Sequence, residues 1–207
     1  MKRQATDIFS EWALIDKDKG MQKNHMNAVD SMLKTLIKMH HKPFSFIDAG
    51  CGNGWVVRKI LEHPLCNSAI GIDGAEGMIQ KAKKLDPYGG YVLSDLLEWK
   101  PTRYVDIVHS MELIYYFNNP EKLIVHIKEC WLKPGGTLIM GLDFYKENIK
   151  SHSWPRELDT NMTLLSIKEW LAILNNVGLY NIQYYQTNSS DGFPGTLVLY
   201  GTKYLAE

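Results

Sequence analysis

The stretch Phe46-Ile47-Asp48-Ala49-Gly50-Cys51-Gly52-Asn53-Gly54 constrains this chain more than any other. An apolar run that passes straight into glycines at alternate positions reads as a β-strand stopping at a sharp turn. Glycine reaches left-handed backbone freely and lets a ligand approach the main chain. In an open α/β sheet ligands bind at this end of a strand, where the next helix offers its free N–H groups. A dinucleotide fingerprint would need glycines at 50, 52 and 55, but position 55 is Trp, too large for the helix to close on the sheet. That weakens a nicotinamide reading.

The pattern around this turn is regular. Strands are predicted at 44–48, 69–73, 91–93, 104–109 and 137–142, with helices at about 55–63, 75–84 and 120–132 between them. Strands alternating with helices give a parallel sheet covered on both faces. Lys133-Pro134-Gly135-Gly136 reads as a stop before the last of these strands. Residues 1–42 form a helical arm or lid, because Val29, Met32, Leu33, Leu36 and Ile37 recur at helical spacing. The main domain is then 43–207, with a loop insertion at 144–162 that carries Trp154-Pro155 as a cap. Ser166-Ile167-Lys168-Glu169 is a capping box for a helix to about 176, and the runs 180–187 and 196–204 are close enough in sequence to pair antiparallel.

Charge and cysteine usage narrow the function. Lys and Arg number 23 and Asp and Glu 23, so no global field steers the chain toward nucleic acid or anionic membrane. Three cysteines without a CxxC pair read as reduced thiols in a cytoplasmic setting, and no run approaches the ~18 apolar residues of a membrane span. Asp73, at the end of the second strand, is placed to accept both hydroxyls of a ribose. Charge-assisted hydrogen bonds of this kind contribute about 1.5–3 kcal/mol each.

With these features the chain resembles the class I S-adenosylmethionine-dependent methyltransferases. The resemblance spans about 44–142 and rests on the 46–54 turn, Gly71-Ile72-Asp73 followed by Met78, Ser94-Asp95-Leu96, Asp106-Ile107-Val108-His109-Ser110-Met111, and Leu132-Lys133-Pro134-Gly135-Gly136-Thr137-Leu138. It implies a Rossmann-like α/β fold: a seven-stranded, mostly parallel sheet with an antiparallel last strand and helices on both faces. It also implies S-adenosyl-L-methionine as cofactor and S-adenosyl-L-homocysteine as product. Asp48, Ala49, Gly50, Gly52 and Gly54 would wrap the methionine portion, with Asp48 acting through the loop or through water. Asp73 and Gly74 would hold the ribose, and Met78, Asp95 and Leu96 the adenine, while His109 and Met111 would face the methyl.

Methyl transfer from a sulfonium needs mainly alignment and exclusion of water, and a base only if the nucleophile carries a proton. Glu112, His25 and Tyr116 are the candidate catalytic residues, and Trp12, Tyr115 and Trp154 the candidate substrate contacts. Glu112 and Asp143 follow neighbouring strands and could together hold a cation, but the paired acids and amides of metal-dependent relatives are missing, so no metal is expected. Lys81, Lys83 and Lys84 read as a solvated helix face. The expected activity is methyl transfer to a small-molecule acceptor by a monomer or homodimer, without nucleic acid or membrane. A noncatalytic S-adenosylmethionine-binding module and a nicotinamide-dependent oxidoreductase are the alternatives, with an aminopropyl transferase behind them.

Overall fold

The computed structural model describes residues 2–205. Two helices, α1 (Ala5–Leu14) and α2 (Asp18–Met39), precede β1 (Phe44–Ala49), α3 (Trp55–Leu61), β2 (Cys66–Asp73), α4 (Glu76–Leu85) and β3 (Gly90–Leu93). β4 (Val105–Met111), α5 (Pro120–Cys130) and β5 (Leu132–Leu142) follow, then the short α6 (Trp154–Glu157), α7 (Ile167–Asn176), β6 (Leu179–Thr187) and β7 (Thr196–Lys203). The strands form one sheet in the order β3-β2-β1-β4-β5-β7-β6. β1 to β5 pair in parallel, and β7 runs antiparallel to both β5 and β6. The sheet and its antiparallel last strand are as the resemblance implies.

Successive side chains on a strand face opposite ways, so each strand feeds two cores. One face packs Ile47, Ile72, Val108 and Met140 under α5 and α7, with Trp131 and Trp170 fully buried. The other packs Phe46, Ile107, Ile139 and Val198 under α2, α3 and α4. The capping box at α7 is present: Ser166 Oγ accepts from Glu169 N–H, and Glu169 accepts from Ser166 N–H at 2.7 Å. A cap of this type contributes about 0.5–2 kcal/mol.

Three expectations need correction. The arm is two helices broken at residues 15–17, and the second is core from Ala28 onward, with Val29, Met32 and Leu36 no more than 1% exposed. Only α1 and the first turns of α2 lie over the site. The Pro-Gly-Gly segment is the irregular start of β5, where Gly135 takes φ +78°. The 144–162 insertion contains a 3-10 turn and α6, and Thr160 Oγ donates to Arg3 C=O at 2.9 Å while Arg3 N–H donates to Asp159 C=O at 2.8 Å. Insertion and N-terminus are therefore strapped together. Among the described residues, no helix is long and apolar enough to cross a membrane.

Candidate active site

A cavity of about 1250 Å³ opens at the C-terminal ends of β1, β2 and β4 and is roofed by α1 and the start of α2. Small-molecule sites run to about 300–1,000 Å³, so it has room for two ligands side by side.

The turn after β1 forms its floor. Gly50 takes φ +77°, and a Cβ there would come within 2.8 Å of Leu113. Asp73 ties this turn to the tip of β2: its Oδ2 accepts from Gly52 N–H at 2.9 Å and its Oδ1 from Ala75 N–H at 2.8 Å. Burial pushes the Asp73 carboxyl above its usual range, and those amide donors pull it back. A carboxylate has about four acceptor positions, so each oxygen keeps one for the cavity it lines. Met78 and Leu96 supply apolar walls beside Asp95, which is exposed and accepts from Leu97 N–H at 2.8 Å.

The opposite end is made by Glu112, His25, Met111, Tyr116 and Phe9. Glu112 sits at the tip of β4 with φ +55°, a left-handed conformation that costs a non-glycine residue about 1–3 kcal/mol. Its carboxylate accepts from Tyr115 Oη–H at 2.7 Å and from the Asp143 N–H at the end of β5. Burial, and then the neighbouring Asp143, push the Glu112 carboxyl well above its ordinary range. Asp143 is likewise raised by burial, against the pull of Thr196 and His25. His25 reaches down from α2 with Nε2 at 3.9 Å from Asp143 Oδ2, and burial holds its imidazole below the ordinary value. His25, Glu112 and Asp143 each offer an atom within 4.8 Å of the others, an arrangement that can embrace one cation.

The roof is clasped at two points. Ser10 Oγ accepts from Gly77 N–H at 3.2 Å, and a Cβ on Gly77 would meet the Ser10 backbone at 2.5 Å, so α1 lies directly on α4. Asp18, 3% exposed at the start of α2, bonds Lys81 Nζ at 2.6 Å and accepts from Asn53 Nδ2 at 2.7 Å. Lys81 is thus a half-buried clasp between lid, glycine turn and α4, not the solvated lysine expected.

Of the residues singled out from sequence, Asp48, Gly50, Gly52, Asp73, Gly74, Met78, Asp95, Leu96, Met111, Glu112, His25 and Tyr116 line the cavity. Six do not. Ala49 is buried in the sheet. Gly54 backs onto the ring of Tyr91, which leaves no room for a side chain, so it shapes the turn from behind. His109 is fully buried within β4, and its Nδ1–H donates to Asp48 Oδ1 at 2.7 Å, so it holds Asp48 from beneath. Trp12 packs edge-to-face on Phe9 and against the Ala75–Met78 cluster, with Lys17 Nζ 3.7 Å over its ring. Tyr115 lies behind Glu112, and Trp154 stacks on Phe144 at 6.2 Å. Phe9, Ser10 and Asp18 were missed, and their only sequence trace is that Phe9 and Trp12 sit one helical turn apart.

The profile of a methyltransferase domain matches residues 7–184. Trans-aconitate 2-methyltransferase of Acidovorax sp. (strain JS42) is 26% identical over 148 residues, 65% of this chain and 57% of that protein. Malonyl-[acyl-carrier protein] O-methyltransferase 2 of Ilyobacter polytropus is 25% identical over 187 residues, 84% of this chain and 69% of the relative. The chain thus spans 57% of the length of the first of these. Among solved structures, a methyltransferase from a complex with the Haloferax volcanii Trm112 methyltransferase activator superposes with a TM-score of 0.82 at 24% identity, over 96% of this chain and 98% of that one. The N-methyltransferase NodS of Bradyrhizobium japonicum, solved with S-adenosyl-L-homocysteine, gives 0.66 at 16% identity over 88% and 86%. At these identities the two structures testify to the fold alone.

Proposed function

This chain belongs to the class I S-adenosylmethionine-dependent methyltransferases, and from that premise we propose that it methylates a small molecule held between the lid and Glu112. The observation that carries the reading is the half-buried Asp73, tied to Gly52 and Ala75 and open to a cavity large enough for two ligands.

The residues present fit the cofactor. Asp73 keeps acceptor positions for the two hydroxyls of a ribose, Leu96 and Met78 offer flat apolar surface, and the Gly50–Gly52 turn leaves the main chain open to close approach. S-adenosylmethionine, when bound, supplies a methyl group already activated on a sulfonium. The chain's own part is then to position and to dry. Asp48, braced by His109, faces the turn from below. Phe9 closes edge-on against Tyr116, with ring centroids 5.4 Å apart, and shuts the acceptor end against water. Burial and the Glu112 charge push the Tyr116 phenol far up, so it serves as wall and hydrogen-bond donor and leaves proton removal to others.

The relatives' names, trans-aconitate and malonyl-[acyl-carrier protein], support a small or small-group acceptor. Calorimetric titration with S-adenosyl-L-homocysteine tests the reading. Binding that weakens about tenfold or more in Asp73→Ala, from the loss of charge-assisted bonds, is expected. Equal affinity in parent and variant would remove Asp73 from the site.

A further inference from the structure

The acceptor end carries a charge problem that the protein does not solve with its own residues. Glu112 and Asp143 stand together with only neutral donors around them: the Tyr115 hydroxyl, the Asp143 N–H and the Thr196 hydroxyl. Asp143 Oδ1 is buried with no hydrogen-bond partner. Among the described residues, neither carboxylate forms an ion pair with Lys or Arg, and the one basic group beside them is His25, at 3.9 Å. The cations lining the cavity, Arg3 and Lys122, are exposed, and Arg3 is already paired with Glu11 at 2.5 Å.

Taking carboxylates out of water without a counter-ion is costly, and a cation entering from solvent relieves that cost. An anionic acceptor would instead bring another negative charge to the same wall, which discriminates against it. We propose that the methyl acceptor is an amine that enters as its ammonium ion and is anchored by Glu112 and Asp143, with His25 as the group that takes its proton. The proposal rests on the methyl-transfer reading above and narrows it to a substrate class that differs from the carboxylate-bearing acceptors in the two relatives' names.

The chemistry balances. The bound ammonium gives one N–H proton to His25 Nε2, which stands unprotonated beforehand and, once charged, is stabilised by Asp143 3.9 Å away. The lone pair so freed forms the new N–C bond as the donor's S–C bond breaks, and the nitrogen regains its positive charge in the N-methylated product. That charge stays complementary to the two carboxylates until release, and the His25 proton leaves to solvent through its exposed edge, 20% of the side chain.

The experiment loads the protein with S-adenosyl-L-homocysteine and titrates it with n-butylamine hydrochloride and, separately, sodium butyrate, ligands of equal length and opposite charge. Binding is followed by calorimetry and by the His25 ring signals in NMR. Butylammonium is expected to bind at least about tenfold tighter than butyrate, a difference of about 1.4 kcal/mol. Glu112→Gln and Asp143→Asn, made singly and checked for cooperative melting and unchanged S-adenosyl-L-homocysteine binding, should each reduce that preference. Butyrate binding as tightly or more tightly, or saturation by neither ligand, overturns the proposal. So does a stoichiometric divalent metal in the purified protein that disappears in Asp143→Asn. If S-adenosyl-L-homocysteine itself fails to bind, the methyl-transfer reading falls too, whereas its binding alongside a butyrate preference sinks the amine alone.

Discussion

The glycine-turn end of the cavity is built from backbone, and the lid end from side chains. At the first, Gly50, Gly52 and Ala75 present main-chain groups whose positions follow from where β1 and β2 stop, and Asp73 stitches them together. At the second, Glu112, Asp143 and His25 come from β4, the end of β5 and α2, elements that meet only in the finished fold. A backbone site tolerates surrounding substitutions and suits a ligand common to many proteins. A site of converging side chains is remade by one change, and suits the ligand that varies.

If the two ends are separable in this way, single changes should affect one without the other. The largest effect is expected at Glu112: Glu112→Gln should lower methyl transfer to an accepted amine by about a hundredfold or more, the loss that follows when one partner of a buried, hydrogen-bonded charge pair is removed. Affinity for S-adenosyl-L-homocysteine should stay within about twofold of the parent. Parallel loss of both would merge the two ends into one site. Asp73→Ala is the converse, expected to weaken S-adenosyl-L-homocysteine by about ten- to a hundredfold while n-butylammonium binding to the unloaded protein holds. A smaller effect belongs to the clasp between them. Asp18→Asn removes one of the two carboxylate charges around Lys81 Nζ and leaves a single amide oxygen where Lys81 and Asn53 each had their own, with Ala13 C=O and Asp16 still accepting from Lys81. It should speed S-adenosyl-L-homocysteine release by about fivefold, the ~1 kcal/mol of a partly exposed pair, measured by stopped-flow displacement.

The same contrast explains what was legible in the sequence. Turn chemistry and strand patterning are local, so the order of elements and the Gly50–Gly52 floor could be read directly, as could the Ser166–Glu169 box. Asp73 was legible because it ends a strand. The clasp was not: Asp18 and Lys81 are 63 residues apart, and nothing in a lysine-rich helix face shows that one of its lysines is covered. Trp12 was read as a substrate contact from its chemistry, but the direction a side chain takes from α1 depends on how that helix docks on α4, which is set by Ser10 against Gly77. His109 follows the same rule: alternation along β4 turns it onto Phe46 and Asp48, beneath the floor. Tyr115 and Trp154 were drawn to the site by aromaticity, whereas the fold uses them to brace Glu112 and Phe144.

The smallest effect is a slope, and it asks whether the lid end carries an uncompensated charge. Burial and Asp143 raise the Glu112 carboxyl above its value in an unfolded chain. Between those two values the native protein holds a proton that the unfolded chain has lost, so stability falls as pH rises through that window. Below the unfolded value both states are protonated and the contribution is complete; above the raised value it is gone. Glutamine does not titrate, so the melting temperature of Glu112→Gln, taken relative to the parent, should climb as pH rises from about 4 and then level off. The groups packed on Glu112 sharpen the reading. Asp143 is raised by its own burial and steepens the parent's slope, whereas His25 is held neutral and the Tyr115 and Tyr116 phenols are pushed far up, so these three add little between neutrality and pH ~9. Saturating n-butylammonium should flatten the parent's slope and leave that of Glu112→Gln closer to unchanged, because a cation favours the ionised carboxylate where one is present. A parent and variant whose melting temperatures run parallel from pH ~4 to ~9 would mean that Glu112 meets water or a counter-ion, and the lid end would lose the feature that sets it apart.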